Sequence, residues 1–287
     1  MEIKNKVFSE ERALFGSANL DIESCTFDKG ESPIKECSSL NIKGSHFKWK
    51  YPIWYCRDTA AEGCVFYEGA RAGMWYNEYL EINNSRVLAP KCFRRCKNLS
   101  LENSDIPNAE ETLWSCDGVK LNNVGVKGDY FAMNCKNIEA DRLELNGKYA
   151  FDGVENAVIR NSKIITKDAF WNSKNVTVYD SYISGEYLAW NSENVTFINC
   201  TVESLQGLCY IENLKLLNCK LINTSLAFEG SSVEAQIDCA DSVFDPKSGV
   251  IKADRIGCLV LSGKNDTKII CDNIYRITSE PDWSEIL

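Results

Sequence analysis

Apolar and polar residues alternate in short runs along most of the chain. Val176-Thr177-Val178 is one such run, and similar runs open the neighbouring segments. A period of two residues is typical of a β-strand with one buried face. Most of these runs are followed by a residue that tolerates the left-handed conformation of a sharp turn: Asn84, Asn103, Asn123, Asn161, Asp180, Asn199 and Asn218. The pattern predicts many short strands separated by tight bends.

The strand-and-bend unit repeats with a nearly constant length. Copies begin at residues 80, 99, 119, 138, 157, 176, 195, 214 and 233, and three looser copies begin at 20, 40 and 59. A repeat of helix pairs would need about 33 residues or more with a helical period, and the strict six- or five-residue periods of other solenoids do not occur. The repeat predicts an all-β parallel β-solenoid of about 11–12 coils with a period of roughly 19–20 residues.

The regularity of the repeat also predicts the organisation of the chain. We expect an N-terminal cap at residues 1–19, coils over 20–264 that are most regular over 80–232, and a C-terminal tail at 265–287 that packs back on the coils. A second small residue closes most copies: Asn98, Gly118, Asn137, Asn156, Asn175, Asn194 and Asn213. Aligned asparagines of this kind are expected to hydrogen-bond to one another along the stack.

The stretches ERALFGSAN, GEYLAWNSENVTFINC and LQGLCYIENL carry a resemblance that covers nearly the whole chain. The sequence resembles the single-stranded β-helix superfamily that contains the pectate lyases and polygalacturonases. More closely, it resembles a bacterial family of intracellular β-helix proteins known only as a domain of unknown function. The resemblance implies a right-handed parallel β-helix, but it implies no particular function, because one fold hosts many chemistries.

Composition and charge exclude several classes of protein. The 287 residues are 44% hydrophobic and carry a net charge of −9, which is ordinary for a globular chain. No basic stripe is present, so we expect no nucleic-acid partner. We expect no membrane partner either, since no run of about 18 apolar residues occurs. The charged N-terminal segment lacks the apolar region of a secretory signal, so a cytoplasmic location is expected.

The 14 cysteines fall largely into two columns when the copies are aligned. One column contains Cys25, Cys64, Cys200 and Cys219, and the other contains Cys37, Cys56, Cys96, Cys116 and Cys135. Serine, valine and glycine occupy the same columns in other copies, which favours small buried side chains at the inside corners of the coils. The alternatives are a redox role for stacked thiols and a structural zinc site at Cys92-x-x-x-Cys96. With one histidine in the chain and no second cysteine pair at zinc spacing, we predict no metal and no cofactor.

Five of the seven tryptophans share one position of the repeat. The neighbouring position never carries a charge and is expected to point inward, so strand alternation predicts an outward tryptophan column. Such a column could stack against sugar rings, with polar groups alongside to bind the hydroxyls. The candidate ligand-binding residues are Trp54, Trp75, Arg94, Trp114, Trp171, Trp190, Tyr187 and Tyr149.

Other interpretations of the tryptophan column stay open. The strip could be covered by the C-terminal tail that contains Trp283, by loops, or by a second subunit, since a long exposed apolar strip is unfavourable in a monomer. The tryptophans would point inward if a bulge shifts the strand register.

The catalytic motifs of the pectin-active enzymes are missing. The only histidine, His46, does not lie in a Gly-His-Gly sequence, and no paired aspartates occur on the coils. The best candidates for a carboxylate pair are Asp152 and Asp168, one coil apart on the aromatic face. A second charged cluster, near Trp114, contains Arg94, Arg95, Glu110, Glu111 and Asp117. Charge pairing explains that cluster equally well.

Two hypotheses about function follow. The first is a protein that interacts with carbohydrate, either by binding an oligosaccharide or as a weak glycan hydrolase or lyase. The second is a non-enzymatic intracellular scaffold that forms a homo-oligomer through the tryptophan column. Saturable oligosaccharide binding would favour the first, and stable self-association with protected tryptophans would favour the second.

Overall fold

In a computed structural model of the chain, residues 1–263 and 265–281 are described. The chain forms two compact units, Met1–Asn146 and Gly147–Leu287. Each unit consists of short β-strands that pair in parallel with the strands of neighbouring coils. The single helical segment of the described residues is one 3-10 turn, Glu68–Ala70. None of the described helical structure has the length and apolar character needed to cross a membrane.

The N-terminal half of the chain contributes the strands β1 (Glu2–Lys4), β2 (Val7–Phe8), β3 (Ala18–Glu23), β4 (Thr26–Phe27), β5 (Ile34–Lys35), β6 (Ser38–Lys43), β7 (His46–Phe47), β8 (Ile53–Trp54), β9 (Arg57–Glu62), β10 (Val65–Phe66), β11 (Glu78–Asn83), β12 (Arg86–Val87), β13 (Lys97–Ile106), β14 (Asp117–Lys127) and β15 (Lys136–Lys148). The C-terminal half contributes β16 (Glu155–Arg160), β17 (Lys163–Lys167), β18 (Lys174–Tyr179), β19 (Tyr182–Ser184), β20 (Glu193–Ile198), β21 (Thr201–Leu205), β22 (Glu212–Ser225), β23 (Ser232–Phe244), β24 (Ser248–Val260), β25 (Asp266–Ile270) and β26 (Asn273–Thr278).

Strand register counts the coils. In the first unit one inward position is occupied in turn by Ile3, Ile22, Ile42, Ala61, Ile82, Leu101, Leu121 and Ala140. In the second unit the equivalent series is Ile159, Val178, Phe197, Leu216, Ala235, Ile251 and Ile269. The fold is therefore the parallel β-solenoid that the repeat predicts, with about 15 turns in the described residues rather than 11–12.

The additional turns lie at the two ends of the chain. Residues 1–19, expected to form a cap, already contain β1 and β2, which pair with β3 and β4. Ala235 and Ile251, and then Ile251 and Ile269, are separated by 16 and 18 residues, so the last coils do not keep the period that identifies the others. Residues 265–281, expected to form a tail, contain β25 and β26, which pair with β24. Trp283 lies outside the described residues.

Stacked aromatic rings fill part of the first unit. The rings of Phe8, Phe27, Phe47 and Phe66 lie above one another, with centroids 4.7–5.0 Å apart and nearly parallel planes. Phe47 and Phe66 have no exposed surface. Because each coil places the same residue type at the same inward position, like side chains pack on like side chains along the stack.

The bends between strands adopt left-handed backbone conformations, as the asparagine pattern predicts. All seven residues from Asn84 to Asn218 that follow the alternating runs have φ between 47° and 55°. In the second unit Asn175 donates to the side chain of Asn156 at 2.9 Å, and Asn194 donates to Asn175 at 2.9 Å. The expected ladder of asparagine side chains is therefore confirmed.

The cysteines of the two columns are buried free thiols. They act as polar corner residues as well as small apolar ones: the Cys116 thiol donates to the carbonyl of Phe93 at 3.0 Å, and the Ser192 hydroxyl at the equivalent position donates to Phe170 at 2.7 Å. This shared bond explains why cysteine and serine interchange. Burial raises the pKa of Cys92 to about 12. A hydrogen bond from Cys56 lowers the pKa of Cys37 to about 7, although Cys37 is only 2% exposed.

Candidate functional site

The predicted tryptophan column lies at one corner of the coils in each unit. Ile53, Met74 and Phe93, which occupy the preceding position, have no exposed surface. The tryptophans of the column are half-buried, as is Arg94. Each side chain therefore has one edge at the surface, while the rest of it lies against the protein.

A hydrogen bond to the next coil holds each indole in place. Trp54 Nε1 donates to the carbonyl of Ala72 at 2.8 Å, and Trp75 Nε1 donates to that of Lys91 at 2.7 Å. Ala72 and Lys91 both have left-handed φ values, 53° and 60°. In the second unit Trp171 and Trp190 donate in the same way, to Tyr187 and Gln206. These bonds fix the orientation of the indole rings before any ligand arrives.

The faces of the rings are occupied by their neighbours along the column. Trp54 and Trp75 stack at 5.3 Å with an angle of 11° between their planes. The Arg94 guanidinium lies between two indoles, 5.0 Å from the centre of Trp75 and 4.5 Å from that of Trp114. These contacts join the predicted residues Trp54, Trp75, Arg94 and Trp114 into one stack, which offers a ligand its edges rather than open faces.

The second unit brings together three of its four predicted aromatic residues. Trp171 and Trp190 stack at 5.9 Å, and Tyr187 meets Trp190 edge-on at 5.2 Å. Tyr149 is half-buried at the corner position equivalent to that of Tyr187, and its backbone N–H donates to the carbonyl of Lys167 at 2.7 Å. Its contribution to ligand binding stays a prediction.

A tyrosine groove opens beside the stack of the first unit. Tyr55 and Tyr76 stack at 4.7 Å with nearly parallel rings, and both meet the indole of Trp54 almost at right angles. The groove has a cavity volume of about 300 Å³ and is lined by Tyr55, Cys56, Arg57, Tyr76, Asn77, Glu78, Arg95 and Lys97. Aligning the copies finds Tyr55, Tyr76 and Arg95, which flank the tryptophan column. Arg57, Glu78 and Lys97 belong to the next strands, and only the coiled structure brings them to the same surface.

Arg94 also forms the best-defined ion pair of this corner. Its guanidinium donates to Glu111 Oε2 at 2.5 Å, while Lys91 Nζ lies 3.3 Å from Glu111 Oε1. Partial burial raises the pKa of Glu111, but the hydrogen bonds from Arg94 and Lys91 outweigh that effect and the net pKa is lowered. The charged cluster found in the sequence near Trp114 therefore contains a structural ion pair that supports the aromatic stack.

The two candidate catalytic carboxylates lie in different environments. Asp152 is half-buried, and its Oδ1 accepts a hydrogen bond from Asn172 Nδ2 at 3.0 Å. Asp168 is only 3% exposed, and its Oδ1 has no hydrogen-bond partner among the described residues. Burial raises the pKa of Asp168, while the nearby Lys167 opposes that effect. No contact or common partner joins the two side chains in the described part of the chain, so their use as a catalytic pair stays a prediction.

We expect Asp168→Asn to stabilise the protein at neutral pH. The pKa of Asp168 is higher in the folded state than its unfolded value of about 3.9. Ionisation therefore costs stability as the pH rises above the unfolded value, and the neutral amide avoids that cost. The free energy of unfolding at pH 7 should increase by about 1 kcal/mol, the scale set by a buried polar atom without a partner.

Urea denaturation at pH 7 and pH 3.5 measures this effect. The gain should be present at pH 7 and largely absent at pH 3.5, where Asp168 is protonated in both states. Asp152→Asn is the matched control and should give no gain, because Asp152 already accepts a hydrogen bond. An equal gain at both pH values would contradict the ionisation argument.

No group of three or more histidine, cysteine, aspartate or glutamate side chains that could hold a metal ion occurs in residues 1–263 and 265–281. The chemistry that the described corner offers is therefore that of hydrogen-bonding groups, cations and aromatic edges. These groups bind polar organic ligands rather than ions alone.

Comparison with known proteins gives a family and remote structural similarity. The profile of a family described as "Protein of unknown function (DUF3737)" matches residues 1–273. The surface adhesin PfbA of Streptococcus pneumoniae is 11% identical, with coverage of 98% of this chain and 87% of that chain and a TM-score of 0.38. The A-module of the Azotobacter vinelandii mannuronan C-5 epimerase AlgE4 is also 11% identical, with the same coverages and a TM-score of 0.27. No curated protein matches the sequence. The argument about function therefore depends on this chain's own residues.

Proposed function

Since this chain belongs to the DUF3737 family of proteins of unknown function, we propose its function from the site itself: the tyrosine groove of the first unit binds an oligosaccharide. The observation that carries the proposal is the pair of stacked tyrosines, Tyr55 and Tyr76, at the edge of a rigid tryptophan stack. The proposal is one of binding and includes no reaction.

The groove supplies the groups that recognise hydroxyl-rich ligands. Tyr55 is 48% exposed, and neither its hydroxyl nor that of Tyr76 has a hydrogen-bond partner among the described residues. Glu78 provides acceptors, and Arg95 and Lys97 provide donors. Sugar hydroxyls both donate and accept hydrogen bonds, so this mixture of groups suits them.

The tryptophan stack supports the groove by fixing its wall. Trp54 and Trp75 are held by backbone hydrogen bonds and by each other, so little side-chain freedom remains to be lost on binding. In this proposal the edges of Trp54, Trp75 and Trp114 contact the ligand. The faces of the indoles, which a simple sugar-stacking platform would use, serve to build the stack.

We expect Tyr76→Ala to weaken oligosaccharide binding at least tenfold, as removal of a central aromatic contact does in other interfaces. Isothermal titration calorimetry of the full chain against a panel of soluble oligosaccharides measures the affinity. Tyr76→Phe keeps the ring and the stack but removes the hydroxyl, so it should lose a smaller part of the affinity. The control is Tyr275→Ala, at a tyrosine that is 73% exposed on β26 of the second unit.

Two results would overturn the proposal. Saturable binding that is unchanged in Tyr76→Ala would place the ligand outside the tyrosine groove. A lack of binding to every glycan, combined with a stable oligomer in sedimentation and tryptophans protected from a fluorescence quencher, would favour the scaffold hypothesis instead.

A further inference from the structure

We infer that the tyrosine groove binds a small dianionic group, of the phosphate monoester class, carried on a sugar. The inference rests on the proposed saccharide binding and adds the chemical class of the ligand. It depends on which charges of the groove are already paired and which remain open.

Two cations of the groove have no acidic partner. Arg95 and Lys97 are exposed, and neither lies within 4 Å of a carboxylate in the described part of the chain. Arg57, in contrast, lies 3.8 Å from Asp58 and 3.7 Å from Glu78. The groove thus has three cations and one carboxylate, and its two open charges are Arg95 and Lys97.

The surroundings of Lys97 explain why it remains open. In the ladder of paired strands Lys97 lies between Glu78 and Asp117. Glu78 is engaged by Arg57, and Asp117 Oδ1 accepts a hydrogen bond from Asn137 Nδ2 at 2.7 Å. Both neighbouring carboxylates therefore have other partners, which leaves the ammonium group of Lys97 for a ligand.

Arg95 is positioned by the tyrosine that lines the groove. Its guanidinium lies over the ring of Tyr76, with the central carbon 5.9 Å from the ring centre. A guanidinium that contacts a ring keeps its N–H donors, and these match the oxygens of a phosphate or carboxylate in a two-pronged arrangement. Arg95 and Lys97 together provide two positive charges, which suit a dianion better than a monoanion.

The size of the groove and the charge of the protein favour a compact ligand. A cavity of about 300 Å³ lies at the lower end of the range for small-molecule sites. The chain as a whole carries a net charge of −9, so a long polyanion would be repelled along most of its length. A single phosphate group on a sugar meets the local cations without extending over the acidic surface.

The test is calorimetric titration of the full chain at low salt with glucose 6-phosphate, glucose, glucuronate and inorganic phosphate. We expect glucose 6-phosphate to bind at least tenfold more tightly than glucose or glucuronate, with a preference that falls as salt is added. Arg95→Ala and Lys97→Ala should each remove most of that preference. Lys174→Ala is the matched control and should leave it unchanged, since Lys174 occupies the same coil position but pairs with Glu193 at 3.3 Å.

The other outcomes separate this inference from the proposal on which it rests. If glucose and glucose 6-phosphate bind equally and Tyr76→Ala weakens both, saccharide binding stands and the phosphate inference is wrong. If glucuronate binds as tightly as glucose 6-phosphate, the dianion argument is wrong. If inorganic phosphate binds as well as the sugar phosphate in both the wild type and Arg95→Ala, the groove has no specific anion site. Binding of none of the four probes would overturn the inference, while the oligosaccharide panel decides the proposed function separately.

Discussion

Replacing Phe47 with alanine is expected to lower the free energy of unfolding by about 3–5 kcal/mol, the usual range for removing a buried phenylalanine. Phe47 has no exposed surface, and its ring stacks on Phe27 and Phe66, each at 4.7 Å. The substitution removes the ring from the middle of the stack and leaves a cavity between two coils. The neighbouring coils cannot close it, because backbone hydrogen bonds set the distance between them.

Urea denaturation followed by circular dichroism measures this loss. Phe15→Ala is the matched control: Phe15 is 46% exposed, so the same substitution should change the free energy of unfolding by less than about 0.5 kcal/mol. If the two variants lost similar amounts of stability, the phenylalanine stack would not be a principal source of the stability of the first unit.

Gly185→Ala is expected to cost about 3 kcal/mol of stability in the second unit, at the upper end of the range for overpacking. A Cβ atom at this position would lie 1.8 Å from the carbonyl oxygen of Thr166. The contact is with backbone, so no side-chain rotation relieves it, and the neighbouring coil would have to move. The backbone N–H of Gly185 also donates to Glu203 at 3.0 Å, which ties the residue to the coil on its other side.

The thermal unfolding midpoint of Gly185→Ala should fall by several degrees relative to the wild type. Gly263→Ala tests whether this loss is specific to the close approach, because a Cβ at Gly263 meets no atom within 4 Å. An unchanged midpoint for Gly185→Ala would show that the bend after β19 moves freely enough to admit a methyl group.

The fold could be predicted from the sequence because the coil imposes one physical environment on each column. Alternation identifies the strands, and residues such as Asn84 and Asn199 mark the left-handed bends. The coils at the ends were missed for a physical reason. An end coil has a neighbour on one side only, so its residues are less constrained, and Ile251 and Ile269 no longer keep the common spacing.

The candidate site was only partly predictable. The sequence places Trp54 and Trp75 in one column, but the column does not show how the rings are oriented. That orientation depends on indole hydrogen bonds to carbonyls in the next coil, 16 to 18 residues further along the chain. The contrast between Asp152 and Asp168 was equally hidden, since their burial depends on how closely each neighbouring coil approaches.

The fixed registration of successive coils restricts how the length of such a chain can change during evolution. Ile3 and Ile22 are 19 residues apart, and Ala61 and Ile82 are 21 residues apart, yet both pairs align without a break in the ladder. A duplicated or deleted segment of one whole coil would leave every column aligned. A change of one residue within a strand would instead turn its inward side chains to the surface. Relatives of different length are therefore expected to differ by whole coils, or by insertions confined to the bends.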